Sequence, residues 1–264
     1  MNNELDNVDI DFDLKKLKWR MLSLLDIKEF KAAAVESIES NYEFLGYGPL
    51  FENITPSEYL ATYYDMLYEQ PLDHFGVFDK GKLLGHIAFG QGFGQFGIEV
   101  IGWVRNGYHN KGLGEYGLAV AEVIAFERKK FNFMSLHIDQ KNIPSRKVAE
   151  KSGFTPVLKV AHEVGKDDFS VIYIKVSPRI QKLARQFGRR AIDVMNSPAG
   201  IQGMAHYLLS DRVVEFYSWP FPSFNESAPP VNAWAFDDFV GRISLNPKIL
   251  DAQKYLDEQD KRLA

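Results

Sequence analysis

Residues 104–114 read Val104-Arg-Asn-Gly-Tyr-His109-Asn-Lys-Gly112-Leu-Gly114. Ile98 to Val104, just before the glycines, is an apolar run of strand length. After them, Tyr116, Ala119, Val120, Val123 and Ile124 recur at helical spacing, which predicts a helix from about Gly112 to Arg128. A strand, a glycine-containing turn and a helix start place a row of backbone N–H groups at one spot with no partner inside the helix. Together with the helix dipole, such a row attracts phosphate oxygens. Phe133 to Asp139 is the next strand, and a second informative stretch follows it: Asn142-Ile-Pro-Ser145-Arg-Lys-Val-Ala-Glu-Lys-Ser-Gly153-Phe154. It predicts a short helix from Pro144 to Lys151, closed by Gly153 as a left-handed cap. The two stretches together point to a pyrophosphate-bearing cofactor and hence to an enzyme.

Moving outward, Leu14 to Leu22 has the pattern of a first strand. Asp26 to Ser40 carries Phe30, Ala33, Ala34 and Ile38 at helical spacing, with Asp26 as the expected N-cap and Glu29 completing a capping box. A second helix is expected from Thr55-Pro56 to Tyr68, with Thr55 as cap and Glu58 reaching back to it. From Asp73 the period becomes two, and His74–Phe78 and Leu83–Phe89 form a hairpin around Asp79-Lys-Gly-Lys82. Gln91 to Gly97 is glycine-rich but no helix follows it, so it reads as a long turn. Strands around Thr155–Val160 and Phe169–Val176, joined through Gly165-Lys-Asp-Asp168, complete the order β-α-α-β-β-β-α-β-α-β-β. The expected fold is an α/β mixed sheet with helices on both faces.

The 264 residues divide into an acidic arm (1–13), this domain (14–177) and an extension (178–264). The arm reads as a solvated terminus, with a docking motif as the alternative. In the extension, Arg179 to Asn196 and Ile201 to Ser210 are expected helices. A segment rich in aromatic residues and proline, Tyr217 to Trp234, is expected to pack on the domain, and a charged helix to run from Asn246 to Ala264. Arg179, Lys182, Arg185 and Arg189 share one helical face, read as a solvated basic face in preference to a dock for RNA or an acidic partner. Apolar residues at 45% and charged residues at 25% predict a globule that folds in water. A net charge of −4 gives no general pull toward nucleic acid or anionic membrane. The absence of cysteine excludes disulfides and thiolate chemistry, and no apolar run reaches the roughly 18 residues of a membrane helix. The expected location is cytoplasmic.

The motifs resemble those of the GCN5-related N-acetyltransferases, the GNAT fold. Their pyrophosphate signature, Gln/Arg-x-x-Gly-x-Gly/Ala, stands here as His109-Asn-Lys-Gly112-Leu-Gly114, with histidine in the first place. The stretch Asn142 to Phe154 and Ile101-Gly102-Trp103 are similar to the branch that includes ribosomal-protein N-terminal acetyltransferases. The resemblance covers about residues 14–177. It implies acetyl-CoA as co-substrate, lying across a splay between Ile98–Val104 and Phe133–Asp139. A glycine or bulge near Gly102 would turn the first of these strands toward the cofactor. The implied cofactor-binding residues are Trp103, Val104, His109, Asn110, Lys111, Gly112, Leu113, Gly114 and Asn142.

For the chemistry, Val104 would supply an oxyanion-binding amide, Glu99 the base, and Ser145 a polar group near the sulfur. The plainer alternatives are a solvent-facing strand carboxylate for Glu99, a local backbone bond for Ser145 and a helix cap for Asn142. The tyrosine acid of many relatives corresponds here to Ala149. Histidines 86, 109 and 137 show no metal-ligand spacing, so no metal is expected. The expected function is acetyl transfer to a primary amine, such as a protein N-terminus or a lysine. The alternative is a catalytically weakened structural or assembly subunit, for instance of a viral particle, that uses 178–264 as an interaction surface for a homo-oligomer or larger assembly.

Overall fold

A computed structural model describes residues 13–37, 54–69, 73–91, 97–162, 167–179, 182 and 213–216. The strands are β1 (Lys18–Met21), β2 (Asp73–Asp79), β3 (Lys82–Gln91), β4 (Gly97–Val104), β5 (Phe133–Asp139), β6 (Thr155–Ala161), β7 (Phe169–Val176) and β8 (Val213–Phe216). They form one sheet in the order β1-β2-β3-β4-β5-β7-β6-β8. Every neighbouring pair is antiparallel except β4 and β5, which run parallel. The helices are α1 (Ile27–Glu36), α2 (Pro56–Tyr64), α3 (Leu113–Glu122) and α4 (Ile143–Lys151). A wider helical turn, Val123–Arg128, continues α3 as far as the sequence predicts.

Local chemistry sets most element ends. Thr55 caps α2: its hydroxyl accepts from Glu58 N–H at 3.3 Å, and Glu58 Oε2 accepts from Thr55 N–H at 2.7 Å. The β2–β3 hairpin turns through Lys80 and Gly81, at φ 46° and 89°, the two left-handed residues that match the twist of a tight hairpin. Gly153 closes α4 at φ 82°, as expected. The start of α1 departs from expectation. Asp26 stands at the N-cap position of α1, as expected, but its side chain turns back instead, accepting from Ser23 N–H and Oγ–H at 2.9 Å and from the Arg20 guanidinium. Glu29 does not reach back to Asp26; its carboxylate accepts from Leu83 N–H at 2.9 Å.

Helices cover both faces of the sheet, as the pattern predicts. On one face α3 and α4 bury Leu113, Tyr116, Ala119, Val120 and Ala149 against Ile98, Val100, Met134, Leu136 and Tyr173. On the other, Phe30 and Ala33 of α1 and Tyr59 and Tyr63 of α2 pack with Leu22, Phe78 and Leu83. Burying each such large side chain contributes about 1.5–3 kcal/mol. The tyrosine hydroxyls of α2 donate back to Ile27 O and Ser23 O, both at 3.1 Å, which ties α2 to the start of α1. Inside the α3 face, Lys175 donates to Glu122 and to Ser152 O, both at 2.6 Å, joining β7, α3 and the end of α4.

The sequence places residues 213–216 in no element, yet they form β8 and extend the sheet beside β6, with Leu158 opposite Phe216. Of the proposed basic face only Arg179 and Lys182 are described, and Arg179 donates to Asn132 Oδ1 at 2.5 Å. The acidic arm up to residue 12, residues 42–53, where the sequence suggests part of an acceptor pocket, and the helices and aromatic segment assigned to 178–264 otherwise lie outside the described residues. Among the described residues no helix is long and apolar enough to cross a membrane.

Candidate active site

The pairing of β4 with β5 stops early. Gly97, Ile98 and Glu99 lie opposite Phe133, Met134 and Ser135, and beyond Glu99 the two strands no longer pair. β3 stays paired with β4 in one register from Gln91–Ile98 to Gly85–Val104, with no bulge. In an antiparallel ladder, alternate residues exchange hydrogen bonds and those between them point the other way. Arg105 N–H donates to Leu84 O at 2.8 Å, which fixes that alternation. Trp103, Ile101 and Glu99 therefore face β3 with their backbone groups. Gly102 and Val104 turn theirs toward the gap that β5 has left. The expected opening between the strands exists, but the divergence of β5 creates it, not a bulge at Gly102. The glycine itself is needed for strand contact, since a Cβ at Gly102 would meet His86 O at 2.6 Å.

At the open end of the gap the chain turns into α3. Gly112 starts the helix at φ 79°, and its carbonyl accepts from Tyr116 N–H at 3.0 Å. Having no side chain, Gly112 cannot cap the helix, and among the described residues no side chain accepts from the amides of Leu113 or Gly114. Unpaired amides at a helix start attract anions. Gly114 packs closely as well: a Cβ there would lie 3.3 Å from Val148 Cγ1 of α4. Asn110 holds φ 60° before this turn, and Lys111 is half-buried beside it. The ring of His109 turns back toward the end of β4. Its Nε2 donates to Val104 O at 2.9 Å, folding the loop back on the strand end.

The partners of Glu99 on the strand show which face it occupies. Ile98 and Val100 belong to the α3 face, so Glu99 points to the α1/α2 face, as does Trp103. Trp103 packs against Phe30 and His86 at 5.8 and 5.9 Å between ring centroids. The indole therefore lies on the face opposite α3. Glu99 is half-buried, not solvent-facing, and burial raises its carboxyl above the ordinary range. No described residue hydrogen-bonds its carboxylate. On the same face His74 Nδ1 and His86 Nε2 lie 3.0 Å apart. Burial, with His74 beside it, pushes His86 down to about 3.

α4 begins where β5 ends, beside the gap. Asn142 caps it, its Oδ1 accepting from Ser145 N–H at 3.1 Å. The plain alternative thus accounts for the oxygen of Asn142 and leaves its NH₂ as a donor. Ser145 is half-buried and its hydroxyl makes no bond to a described residue, so the local backbone bond that was its plainer alternative is absent. Ala149 is fully buried under Phe154 and its neighbours, and no tyrosine replaces it at that point of α4.

Two clusters went unread in the sequence. Asp139, His162 and Asp168 bring three donor atoms within 4.8 Å of one another. His162 also meets Ser170 Oγ at 2.7 Å, and Lys141 meets Asp168 at 3.2 Å, so the group is a self-paired network across β5, β6 and β7. The other is Arg105, buried directly after Val104 and bonded to Glu29 and Glu36. Its one sequence signal is a pair of glutamates two helical turns apart on α1, with an arginine directly after β4.

Residues 36–154 match the family model described as acetyltransferase (GNAT) family. No curated protein matches the sequence. Among solved structures, the ribosomal-protein-S5-alanine acetyltransferase from Vibrio fischeri is similar at 15% identity, covering 64% of this chain and 98% of its own, with a TM-score of 0.51. The spermidine N-acetyltransferase from Vibrio cholerae, in complex with CoA and spermine, is 15% identical over 61% of this chain and 96% of its own, at 0.52. A ribosomal L7/L12 alpha-N-protein acetyltransferase in complex with coenzyme A is 14% identical over 61% and 94%, also at 0.52. At these identities the likeness is one of fold. The assembly-subunit alternative finds no support among them.

Proposed function

We propose, from the premise that residues 36–154 form a GNAT-family acetyltransferase domain, that the protein moves an acetyl group from acetyl-CoA to a primary amine. The observation that carries this reading is the gap: β5 leaves β4 after Glu99, so the backbone groups of Gly102 and Val104 open onto it beside the uncapped start of α3. The amides of Gly112, Leu113 and Gly114 would bind the pyrophosphate, with Lys111 adding positive charge. Gly102 would pair with the amide groups of the pantetheine arm, and the Asn142 NH₂ would donate to it. His109 would hold the loop to the strand instead of binding phosphate.

In the reaction, the nitrogen lone pair of a neutral amine forms a bond to the thioester carbonyl carbon. The oxygen takes the negative charge and accepts a hydrogen bond from Val104 N–H. Glu99, reaching the gap from the α1/α2 face, removes the proton from nitrogen directly or through one water. The carbon–sulfur bond then breaks, and the sulfur leaves with its electron pair. Ser145 hydrogen-bonds the departing thiolate, which takes its proton from water because Ala149 supplies none. The amine would approach from the face of Trp103 and Phe30, opposite to the side where α3 lies. The acceptor class we favour is a protein amine. The support is Ile101-Gly102-Trp103 together with the ribosomal-protein acetyltransferases among the fold relatives, and the polyamine enzyme among them makes spermidine the comparison substrate.

Isothermal titration with acetyl-CoA tests the reading, followed by mass spectrometry of peptide N-termini, lysine peptides and spermidine incubated with protein and acetyl-CoA. Saturable binding and a product 42 Da heavier (about the mass of one acetyl group less a hydrogen) on one amine class are expected. A folded protein that takes up neither acetyl-CoA nor CoA refutes it.

A further inference from the structure

Arg105 sits between the two halves of the site. It follows Val104 at the end of β4 and precedes the loop that leads to α3. Its side chain is only 3% exposed. Nε and Nη2 form a fork on the Glu36 carboxylate at 2.6 and 2.5 Å, while Nη1 donates to Glu29 Oε1 at 2.6 Å and to Leu83 O at 2.9 Å. A fork of this kind fixes orientation as well as distance. The next residue adds a second tie: Asn106 N–H donates to Ser37 Oγ at 3.0 Å, and Ser37 Oγ–H donates to Ala33 O at 2.7 Å. The strand end and the loop are thus fastened to the last turn of α1. α1 lies on the face opposite α3, and the chain passes directly from Ser37 into residues 38–53.

We infer that Arg105 is a positioning residue that couples the cofactor loop on one face to α1, and through α1 to the acceptor side, on the other. The inference rests on the proposed CoA site. When anion binding settles residues 104–115, a guanidinium locked at the second of them has no freedom to follow without carrying Glu29 and Glu36 along. α1 is then steadied by a ligand it does not touch. An arginine that served only to fill and neutralise its pocket would leave α1 indifferent to the ligand.

Hydrogen exchange of the full chain with and without coenzyme A separates the two. In the wild type, CoA should slow exchange at 104–115 and, by about tenfold, at 27–37. Arg105→Lys keeps the charge but loses the fork, and should keep the protection at 104–115 while losing that at 27–37. Glu36→Gln cuts the same link from the other end, and serves if Arg105→Lys fails to fold. CoA binding that protects only 104–115 in the wild type overturns the coupling and leaves the CoA site standing. So does protection of 27–37 that survives in a folded variant. No CoA binding at all removes the proposed function, and this inference with it.

Discussion

Replacing Gly112 by alanine puts the anion cradle to a direct test that needs no knowledge of the acceptor. Gly112 begins α3 at φ 79°, and its carbonyl is engaged by Tyr116 N–H at 3.0 Å, so an alanine here relaxes only by fraying the first turn. An L-residue held in the left-handed region costs about 1–2 kcal/mol. In the free protein the turn can relax and shed that strain. With CoA bound, the amides of 112–114 must return to their positions, and the strain is then subtracted from the binding energy. At 1.4 kcal/mol per tenfold, Gly112→Ala should weaken CoA about 5- to 30-fold. Gly107 supplies the control. It has φ 81° and nothing within 4 Å of a Cβ, so Gly107→Ala carries a like backbone strain away from the cradle. Its CoA affinity should stay within about twofold of wild type while its melting temperature falls. Isothermal titration with CoA and thermal melts on both variants give the comparison. Equal losses of affinity in the two, or wild-type affinity in Gly112→Ala, refute the placement of the phosphate.

Glu99→Gln should lower the rate of acetyl transfer about 10²- to 10⁴-fold with CoA affinity unchanged, since the carboxylate lies on the α1/α2 face, opposite the proposed CoA site. In the wild type the acidic limb of kcat/KM should lie above the ordinary carboxylate range, because burial raises this group and the base works only when ionised. A variant as fast as wild type, or a limb that persists in it, removes Glu99 from the reaction. His86 bears on stability instead. Burial holds the folded imidazole neutral down to about 3, whereas in the unfolded chain it takes its proton near the usual value of about 6.5. Between those values the unfolded state binds the extra proton, so stability should fall as pH falls. Thermal melts between pH 7 and 4 (roughly that window) should show a shallower fall in His86→Phe than in wild type, and parallel curves would exclude the residue as the source.

What the sequence determined by itself rests on contacts within a few residues. The glycine turn at 112, the box of Thr55 and Glu58, the left-handed Gly153 and the periods of two and 3.6 are all local, and each appears where it was read. The order of strands and helices as far as β7, and the glycine start of α3, follow from them. The tertiary structure decided the rest, because the partners are far apart along the chain or because a local rule leaves a choice open. Alternation along β4 puts Glu99 and Ile98 on opposite faces but cannot say which face α3 will cover, so the burial of Glu99 and the turning away of Trp103 were not legible. Asp26 chose Ser23 over α1 because Arg20 stands beside it. Glu29 and Glu36 lie 76 and 69 positions from the arginine they bind, beyond the reach of any local pattern. The gap itself depends on β5 pairing with β7 from Phe133 to Asp139 but with β4 only as far as Ser135, a choice between partners distant along the chain that no local pattern records.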